Sequence, residues 1–544
     1  MKRKLYRAFV LVAVLLVGLQ PTPTPADQPG RIRLDLLGRY DGGIYSPLAV
    51  QNPPAWDAGR KRLYVGSQVR KRVDVLDLAS LSAPALIDTI EISDLPPGIP
   101  IPGKIGGGIS ALAFREDVLA VAFAAADKGD TGIVVFFDPA GKALAGPVDV
   151  GFSPNAMSFV PGKPLLLVVN QADPGATVDP PASLSVIRLD RAGGQLSPAV
   201  STITFTQFDG HEAELRAAGI RLITPGSSAS EQLEPESLAV SEDGRTAWIT
   251  LPRNNAIGVI DLEAMQVRTL LPLGSKDMSR LGNGFDASDR DGRIAIRAWP
   301  VRALYEPDGI AVYRSLGKTY LATANEGDPR PGEEVRVGEA ILDAAAFPRA
   351  AWLQRDENLG RLQVTRVESD PDGDGTLERL VALGARSLAV WSTNGRLLGD
   401  TGSLFERVTA RQLGRPGFNT TDDATIFDDR SDDRGPEPES ITVGSIQGRS
   451  IAFVAFERVG GVIAVDVTLP GFPLFQDFVS TRNYAVDPAP VCIDNAPKPQ
   501  ACTAAGDLGP ESVLFIPAAA SPSGEPLLLV RHDLSDTLTI FAVR

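Results

Sequence analysis

The residues best suited to chemistry in this sequence are carboxylates, and they are densest in one short loop. The loop reads Asp370-Pro371-Asp372-Gly373-Asp374-Gly375-Thr376-Leu377-Glu378. Carboxylates at alternate positions followed by glycine are what a hard cation with six to eight oxygen ligands requires of a tight loop. We therefore predict a calcium site whose ligands are Asp370, Asp372, Asp374 and Glu378. The alternative interpretation is a solvated acidic turn between two strands.

Two further acidic segments offer the same ligand chemistry. One contains Asp286, Asp289 and Asp291. The other precedes Glu437-Pro438-Glu439 and contains Asp422, Asp423, Asp428, Asp429, Asp432 and Asp433. Each segment is a candidate cation site, and each also fits a solvated polar loop.

More carboxylates stand directly before or after short apolar segments that alternate with turns. They are Glu236, Asp308, Glu326, Asp328, Glu439, Glu457 and Glu511. On one face of a sheet protein, such like charges raise one another's pKa unless a cation neutralises them. We predict an acidic face that attracts cations. The alternative is that these loops are polar only because they are exposed.

Catalysis by histidine or by an activated nucleophile has little support. The chain has two His and two Cys, too few for a His-rich metal centre or a zinc ribbon. It has no Gly-x-Ser-x-Gly nucleophile elbow and no complete phosphate-binding glycine loop ending in Lys-Ser or Lys-Thr. The sequence identifies no catalytic residue, and it leaves open whether the protein is an enzyme.

The elements that must position these carboxylates are short β-strands. Of 544 residues, 43% are hydrophobic and 22% charged, with 53 Gly and 44 Pro to form turns. That balance excludes a disordered, collagen-like or multi-span membrane protein. One pattern of apolar strands separated by turns recurs seven times. Clear copies begin at Glu234, Glu306, Glu437 and Gly509, and weaker ones near Leu48, Gly108 and Ser153.

These units predict an all-β fold, a seven-bladed β-propeller. Six units have room for four strands, whereas the seventh ends at Arg544 after its third. The segment Ile32 to Tyr40 supplies the missing strand, which closes the ring and hides its edges. Because the first strands of a propeller line its channel, the acidic residues fall on one face. The alternative fold is two packed β-sandwiches.

The first 26 residues predict an export signal. Lys2, Arg3, Lys4 and Arg7 precede an apolar stretch, and Ala26 ends a candidate cleavage site. The alternative is an N-terminal membrane anchor. We predict that residues 27–544 form a single propeller domain. Its surplus length lies in insertions at 207–233, 276–305, 329–384, 403–436 and 484–508.

Export bears on the cysteines and on the partners. Cys492 and Cys502 are predicted to form a disulfide in an oxidising compartment. Removing the signal changes the formal net charge from −14 to −18, which repels nucleic acid and anionic lipid. We predict a secreted or extracytoplasmic monomer with no nucleic-acid partner and no membrane span after signal removal.

Several segments resemble the choice-of-anchor I family, and the resemblance covers essentially the whole mature chain. They read GNGFDASDRDGRIAIRAWPV, YEPDGIAVYRSLGKTYLATANEGDPR, DPDGDG, RSLAVWSTNG and DDRSDDRGPEPESITVGSIQGRSIAFVAFERVGGVIAVDVT. The family includes mesenchyme-specific cell-surface glycoproteins linked to biomineralisation, and some bacterial relatives carry an alkaline phosphatase label. The resemblance implies an exported or surface-attached propeller.

Two functions fit these observations. The first is a non-catalytic calcium-binding propeller that presents its acidic face to an extracellular polymer, mineral or protein. The second is a calcium-dependent phosphoesterase, alkaline phosphatase-like or phytase-like, in which cations hold phosphate and activate water without histidine. Basic side chains beside the acids would favour the second function. The candidates, just after second strands, are Arg253, Arg330, Arg458 and Arg531.

Overall fold

The computed structural model describes residues 30–46, 53–91, 106–172, 179–193 and 195–544. The predicted export signal, residues 1–26, lies outside the described residues. No helix in the part of the chain that the structure describes is both long enough and apolar enough to span a membrane.

Runs of Val, Ile, Leu, Phe and Ala bounded by turn residues form antiparallel strands, because branched and aromatic side chains pack well on a pleated surface. Within the described ranges there are seven four-stranded antiparallel sheets. The strands of the first four sheets are Ala55–Asp57, Arg62–Ser67, Arg72–Asp77, Ala85–Glu91; Gly108–Arg115, Val118–Ala124, Thr131–Phe137, Ala143–Phe152; Pro154–Phe159, Leu165–Asn170, Ser183–Ala192, Gln195–Thr204; and Leu238–Val240, Thr246–Leu251, Ala256–Asp261, Gln266–Pro272. Those of the last three are Pro307–Ser315, Lys318–Asn325, Ser387–Ser392, Leu397–Asp400; Pro438–Ile446, Arg449–Phe456, Val462–Asp466, Leu474–Val479; and Pro510–Ile516, Leu527–His532, Thr537–Val543, Leu34–Asp41.

The seventh sheet combines the two ends of the described chain. Its outer strand is Leu34–Asp41, which pairs antiparallel with Thr537–Val543. Leu34 lies opposite Val543, and Asp41 lies opposite Thr537. The N-terminal strand therefore covers an edge that the last strand would otherwise expose.

Apolar side chains join each sheet to the next along the chain. Val73 of the first sheet and Val121 of the second belong to one buried cluster, and equivalent clusters join the following pairs. Leu529 of the seventh sheet packs in the same cluster as Leu63 of the first. The sheets therefore close into a ring, which is the arrangement of a β-propeller.

The insertions carry most of the remaining secondary structure. The short strands outside the seven sheets are Ile44–Tyr45, Ser275–Asp277, Arg302–Leu304, Glu334–Arg336, Ile341–Leu342, Gln363–Thr365, Thr376–Leu377, Val381–Ala382 and Ala496–Pro497 in the described part of the chain. The α-helices are Glu212–Ala218, Ala229–Gln232, Ala350–Leu353, Arg366–Ser369, Leu404–Gly417 and Gln500–Thr503. The 3₁₀ turns are Thr206–Phe208, Pro252–Asn254, Val337–Glu339 and Ala518–Ala520, and one π turn spans Asp356–Gly360.

Segments 276–305 and 329–384 share an apolar core of their own, which includes Phe285, Trp299 and Leu359. The acidic loop at 370–378 belongs to this subdomain. The strand predicted before the loop is present as Gln363–Thr365, and a helical turn, Arg366–Ser369, lies between this strand and the loop. The Thr365 hydroxyl accepts a hydrogen bond from the Val367 amide and so begins this turn.

Candidate functional site

A proline followed by a polar residue opens the first strand of the third, fifth, sixth and seventh sheets, and the same pair lies just before the first strand of the fourth sheet, Leu238–Val240. The pairs are Pro154-Asn155, Pro235-Glu236, Pro307-Asp308, Pro438-Glu439 and Pro510-Glu511. A shift of strand register follows the proline in the fifth, sixth and seventh sheets. Because such a bulge redirects a side chain, the polar residue is turned toward the channel while the rest of the strand stays paired.

The backbone at this motif allows the strands to approach closely. Glu306 and Glu437, which precede their prolines, adopt left-handed φ values of 42° and 51°. A Cβ atom on Gly309 would lie 2.8 Å from the backbone oxygen of Glu439. Glycine at 309 therefore lets the first strands of the fifth and sixth sheets meet, and this brings Asp308 near Glu439.

All seven residues predicted for the acidic face line one cavity of about 620 Å³ at the end of the channel. A second cavity of about 240 Å³, lined by first strands, continues along the channel. Glu236, Asp308, Glu439 and Glu511 line both cavities and so lie where the two meet. The structure thus places the predicted carboxylates around one opening.

Burial raises the proton affinity of these carboxyl groups. Transfer from water penalises the charged form, and the neighbouring acids add repulsion. Burial raises the pKa of Glu457 to about 8. Burial and neighbouring carboxylates raise the pKa of four more acids well above the ordinary value. These acids are Asp308, Glu326, Glu439 and Glu511. Near neutral pH such a cluster is stabilised either by bound protons or by a cation.

Two groups of three carboxylates are close enough to share a cation. Oxygens of Asp308, Glu326 and Glu439 lie within 4.8 Å of one another, and so do oxygens of Glu326, Glu437 and Glu457. Glu326 belongs to both groups. A set made only of carboxylate oxygens suits calcium or magnesium better than zinc or copper.

Glu437 is a site residue that the sequence prediction missed. It belongs to a group of glutamates two residues before the channel acids: Glu234, Glu306 and Glu437. Each is almost fully buried and paired with arginine. The sequence contains a signal for these inner glutamates, because Glu-Pro-Glu and Glu-Pro-Asp each place a second acid two residues before the channel acid.

The arginines that follow second strands bind these inner glutamates. Arg253 and Arg330 pair with Glu234, and the Arg458 Nε lies 3.0 Å from Glu437 Oε2. Burial alone would raise the pKa of Glu437, but the guanidinium groups of Arg430, Arg434 and Arg458 hold it at about 2.

Not all of these arginines face the channel. Arg253, Arg434 and Arg458 line the channel cavity together with the acids. Arg531 instead pairs with Asp533 and Asp536, at 3.1 and 2.8 Å.

The loop predicted to bind calcium forms a separate cluster outside the channel cavity. Oxygens of Asp370, Asp372, Asp374 and Glu378 lie within 4.8 Å of one another. Asp370 accepts hydrogen bonds from the Gly373 and Gly375 amides, both at 2.8 Å, which fold the loop around its carboxylate. Desolvation and the three aspartates raise the pKa of Glu378.

The other two acidic segments are mostly ion-paired rather than solvated. Asp289 pairs with Arg361, and Asp422 pairs with Arg458. Asp432 and Asp433 pair with Arg336 and Arg430 and are nearly buried. The solvated-loop interpretation is therefore wrong for these four residues.

Three acids of the same segments form a further group. Oxygens of Asp286, Asp291 and Asp428 lie within 4.8 Å of one another. Burial raises the pKa of Asp286 to about 7 and that of Asp428 to about 8.

Cys492 and Cys502 form the predicted disulfide, with their Cα atoms 4.8 Å apart. The bridge lies in the insertion at 484–508, where Cys502 packs in a small apolar cluster with Tyr45 and Leu508. It closes a short loop within this insertion, and neither cysteine lines the acidic cavity.

Comparison with known proteins gives a family and several relatives. A family model described as the choice-of-anchor I domain matches residues 53–470. The mesenchyme-specific cell surface glycoprotein of Strongylocentrotus purpuratus is 28% identical over 324 residues, which are 51% of this chain and 41% of that protein. Gigasin-3a of Magallana gigas is 28% identical over 208 residues, or 35% of this chain and 67% of that protein.

Two solved structures are similar at lower identity. Hydrazine synthase of Kuenenia stuttgartiensis aligns with a TM-score of 0.44 at 12% identity, over 92% of this chain and 99% of that chain. The periplasmic gluconolactonase of Pseudomonas aeruginosa aligns with a TM-score of 0.41 at 16% identity, over 88% and 91%.

Proposed function

This chain belongs to the choice-of-anchor I domain family, and from that premise we propose an extracellular, calcium-binding propeller with seven blades. The seven four-stranded sheets support the blade count. The surface location named for the sea-urchin relative, the disulfide and the N-terminal segment support export. In this proposal residues 1–26 are removed and residues 27–544 form one domain.

The observation that carries the proposal is the convergence of carboxylates on Glu326. Two groups of acids share this residue, and each could hold one cation by oxygen ligands alone. Calcium accepts irregular sets of six to eight oxygens, whereas magnesium demands near-ideal octahedral geometry and dehydrates reluctantly. The wide, irregular arrangement of the channel acids therefore favours calcium.

The proposed role is binding without catalysis. A cation at an open cavity keeps coordination positions for an outside ligand, so carboxylate, sulfate or phosphate groups of a polymer, mineral or protein can complete its shell. The formal net charge of −14 excludes the non-specific attraction to nucleic acid that a basic protein would have. We propose that the protein acts as a monomer.

Calcium titration of metal-stripped protein tests the channel site. Glu326→Gln keeps the size of the side chain but removes the charge common to both groups, so calorimetry should show the loss of the channel ions. Glu242→Gln is the matched control, because Glu242 is 80% exposed and lies on a surface turn. Equal calcium stoichiometry and affinity in wild type and Glu326→Gln would refute the channel site.

A calcium-dependent phosphoesterase is the second candidate function. Arg253, Arg434 and Arg458 line the same cavity as the acids, so cations and guanidinium groups could bind one phosphate together. Incubation with p-nitrophenyl phosphate and with phytate, with and without calcium, separates the two functions. Phosphate release that requires calcium and disappears in Glu326→Gln would establish the enzyme, and no release above the buffer rate would leave the binding role.

A further inference from the structure

A second group of carboxylates lies away from the channel, between the insertions at 276–305 and 403–436. The Arg386 guanidinium joins the two segments by donating to the backbone oxygens of Asp286 at 2.9 Å and Ser431 at 2.8 Å. Arg415 donates to the Gly292 backbone oxygen at 2.9 Å. The two insertions are thus packed together, and Asp286, Asp291 and Asp428 meet at their junction.

The charge of this junction is not balanced by basic side chains. Asp286 and Asp428 are 1% and 0% exposed, and neither has an ion-pair partner among the described residues. The ion-pair partner of Asp291 within the described ranges is Arg293, which is largely exposed, at 3.1 Å. The buried Arg386, which donates to the Asp286 backbone oxygen, is paired with Glu406 at 2.6 Å. Buried carboxylates of this kind are ordinarily paired with a cation or bound to a metal.

One carboxylate oxygen at the junction also lacks a hydrogen bond. Asp428 Oδ1 accepts from the Ser431 hydroxyl, whereas Asp428 Oδ2 is fully buried without a partner. The Oδ1 atom of Asn419 is likewise buried without a partner, and its amide nitrogen donates to the same Ser431 hydroxyl at 2.7 Å. Because buried polar atoms are nearly always satisfied, an unpartnered carboxylate oxygen beside two more acids indicates a missing ligand.

We propose that Asp286, Asp291 and Asp428 bind a hard divalent cation, calcium in preference to magnesium, which fastens the two insertions to each other. The ion takes one oxygen from each carboxylate and supplies the partner that Asp428 Oδ2 lacks. It brings together acids 142 positions apart in the chain, from Asp286 to Asp428, so binding requires the folded insertions. The site is separate from the channel cavity and does not depend on the proposed function.

The first test compares Asp428→Asn with Asp289→Asn. Asn at 428 retains an oxygen for the Ser431 hydroxyl and removes the unpaired charge. Calorimetry of metal-stripped protein with calcium chloride should show one equivalent fewer in Asp428→Asn than in wild type. Asp289→Asn is the matched control, because Asp289 lies in the insertion that carries Asp286 and Asp291 but pairs with Arg361, and it should keep the wild-type stoichiometry.

Thermal unfolding separates an ion site from a merely structural acid. At about pH 9 without metal, Asp428→Asn should melt above wild type, since it removes a buried charge that has no ion-pair partner. With calcium the order should reverse, since only wild type gains the ion at this site. The control Asp289→Asn should melt below wild type under both conditions. An Asp428→Asn protein that binds as many calcium ions as wild type would overturn the proposal.

Asp291→Asn keeps the proposal testable if Asp428→Asn fails to fold, because Asp291, unlike Asp428, is paired with the exposed Arg293. Terbium bound at the buried junction should retain few water ligands, which its emission lifetimes in H₂O and D₂O report. We expect a component of low hydration in wild type that is lost in Asp291→Asn. Identical lifetimes and calcium stoichiometry in the two proteins would reject the site.

Discussion

At the scale of single residues, neighbours decide whether a buried carboxylate is charged. Glu437 and Glu457 carry the same side chain and belong to one group of three acids. Three guanidinium groups hold the pKa of Glu437 at about 2, whereas burial raises that of Glu457 to about 8. Near neutral pH, Glu437 is therefore a fixed anion, and Glu457 is charged when a cation replaces its proton.

The loop at 370–378 gives a prediction at the same scale. An ion bound only by the folded state stabilises it by RT ln(1 + [L]/Kd), about 2.7 kcal/mol at a hundredfold excess over Kd. In a chain of this size, each kcal/mol of added stability raises the melting temperature by roughly a few degrees at most. Calcium should raise the melting temperature of the wild type, measured by calorimetry. Substituting both Asp372 and Asp374 by Asn should remove part of that rise. A double variant with the full calcium response would mean that the loop is a solvated turn.

At the scale of elements, the sequence predicts what local pattern determines. The alternation of apolar strands and turns locates the strands of the sheets, and the N-terminal strand is found as the missing partner of Thr537–Val543. The all-β propeller class is confirmed by the ring of sheets. The acidic face could be predicted because Glu236, Asp308 and Glu439 follow proline at one register.

The junction of the insertions could not be predicted, because its contacts have no repeating pattern. Asp286 and Asp428 lie in segments that both look like solvated loops, and only the three-dimensional fold brings them together. Ion pairs such as Asp289 with Arg361 are equally non-local. Hydrophobic periodicity carries no information about such contacts, since it reports only which face of an element is buried.

The N-terminal strand gives a prediction for an element. A mature chain lacking Ile32 to Tyr40 should expose the edge of Thr537–Val543 and remove Leu34 from the cluster that it forms with Phe453 and Val513. We expect a lower melting temperature or aggregation, because an open apolar edge recruits other chains. The control is the mature chain with this strand intact. Equal melting temperatures and equal elution volumes would show that the strand does not close the ring.

At the scale of the whole molecule, the ring concentrates charge that is dilute along the chain. Glu236 and Glu511 are separated by 275 positions, yet both line the same two cavities. Each sheet contributes residues to the same opening, so the seven carboxylates predicted for the acidic face converge where the first strands meet. A strongly acidic opening needs compensation, and the proposed cations would provide it without altering the fold.

Stability against pH is the final prediction. Glu457, with a pKa raised from 4.5 to about 8, contributes stability below pH 4.5 that is lost as pH rises through about 8. Asp286 and Asp428, raised to about 7 and 8, act in the same direction. Glu437, lowered to about 2, acts oppositely, but its contribution is lost only in acid.

Metal-stripped protein should therefore melt at a lower temperature at about pH 9 than at about pH 6, because the folded state must release the protons that stabilise its buried acids. Calcium should reduce this difference, since the ion takes the place of the protons. Calorimetry in chelator-treated buffers measures both curves, and Glu326→Gln should flatten the metal-free curve because it removes one of the acids with a raised pKa. A metal-free melting temperature that is constant over this range would show that the channel acids do not carry protons in the folded protein.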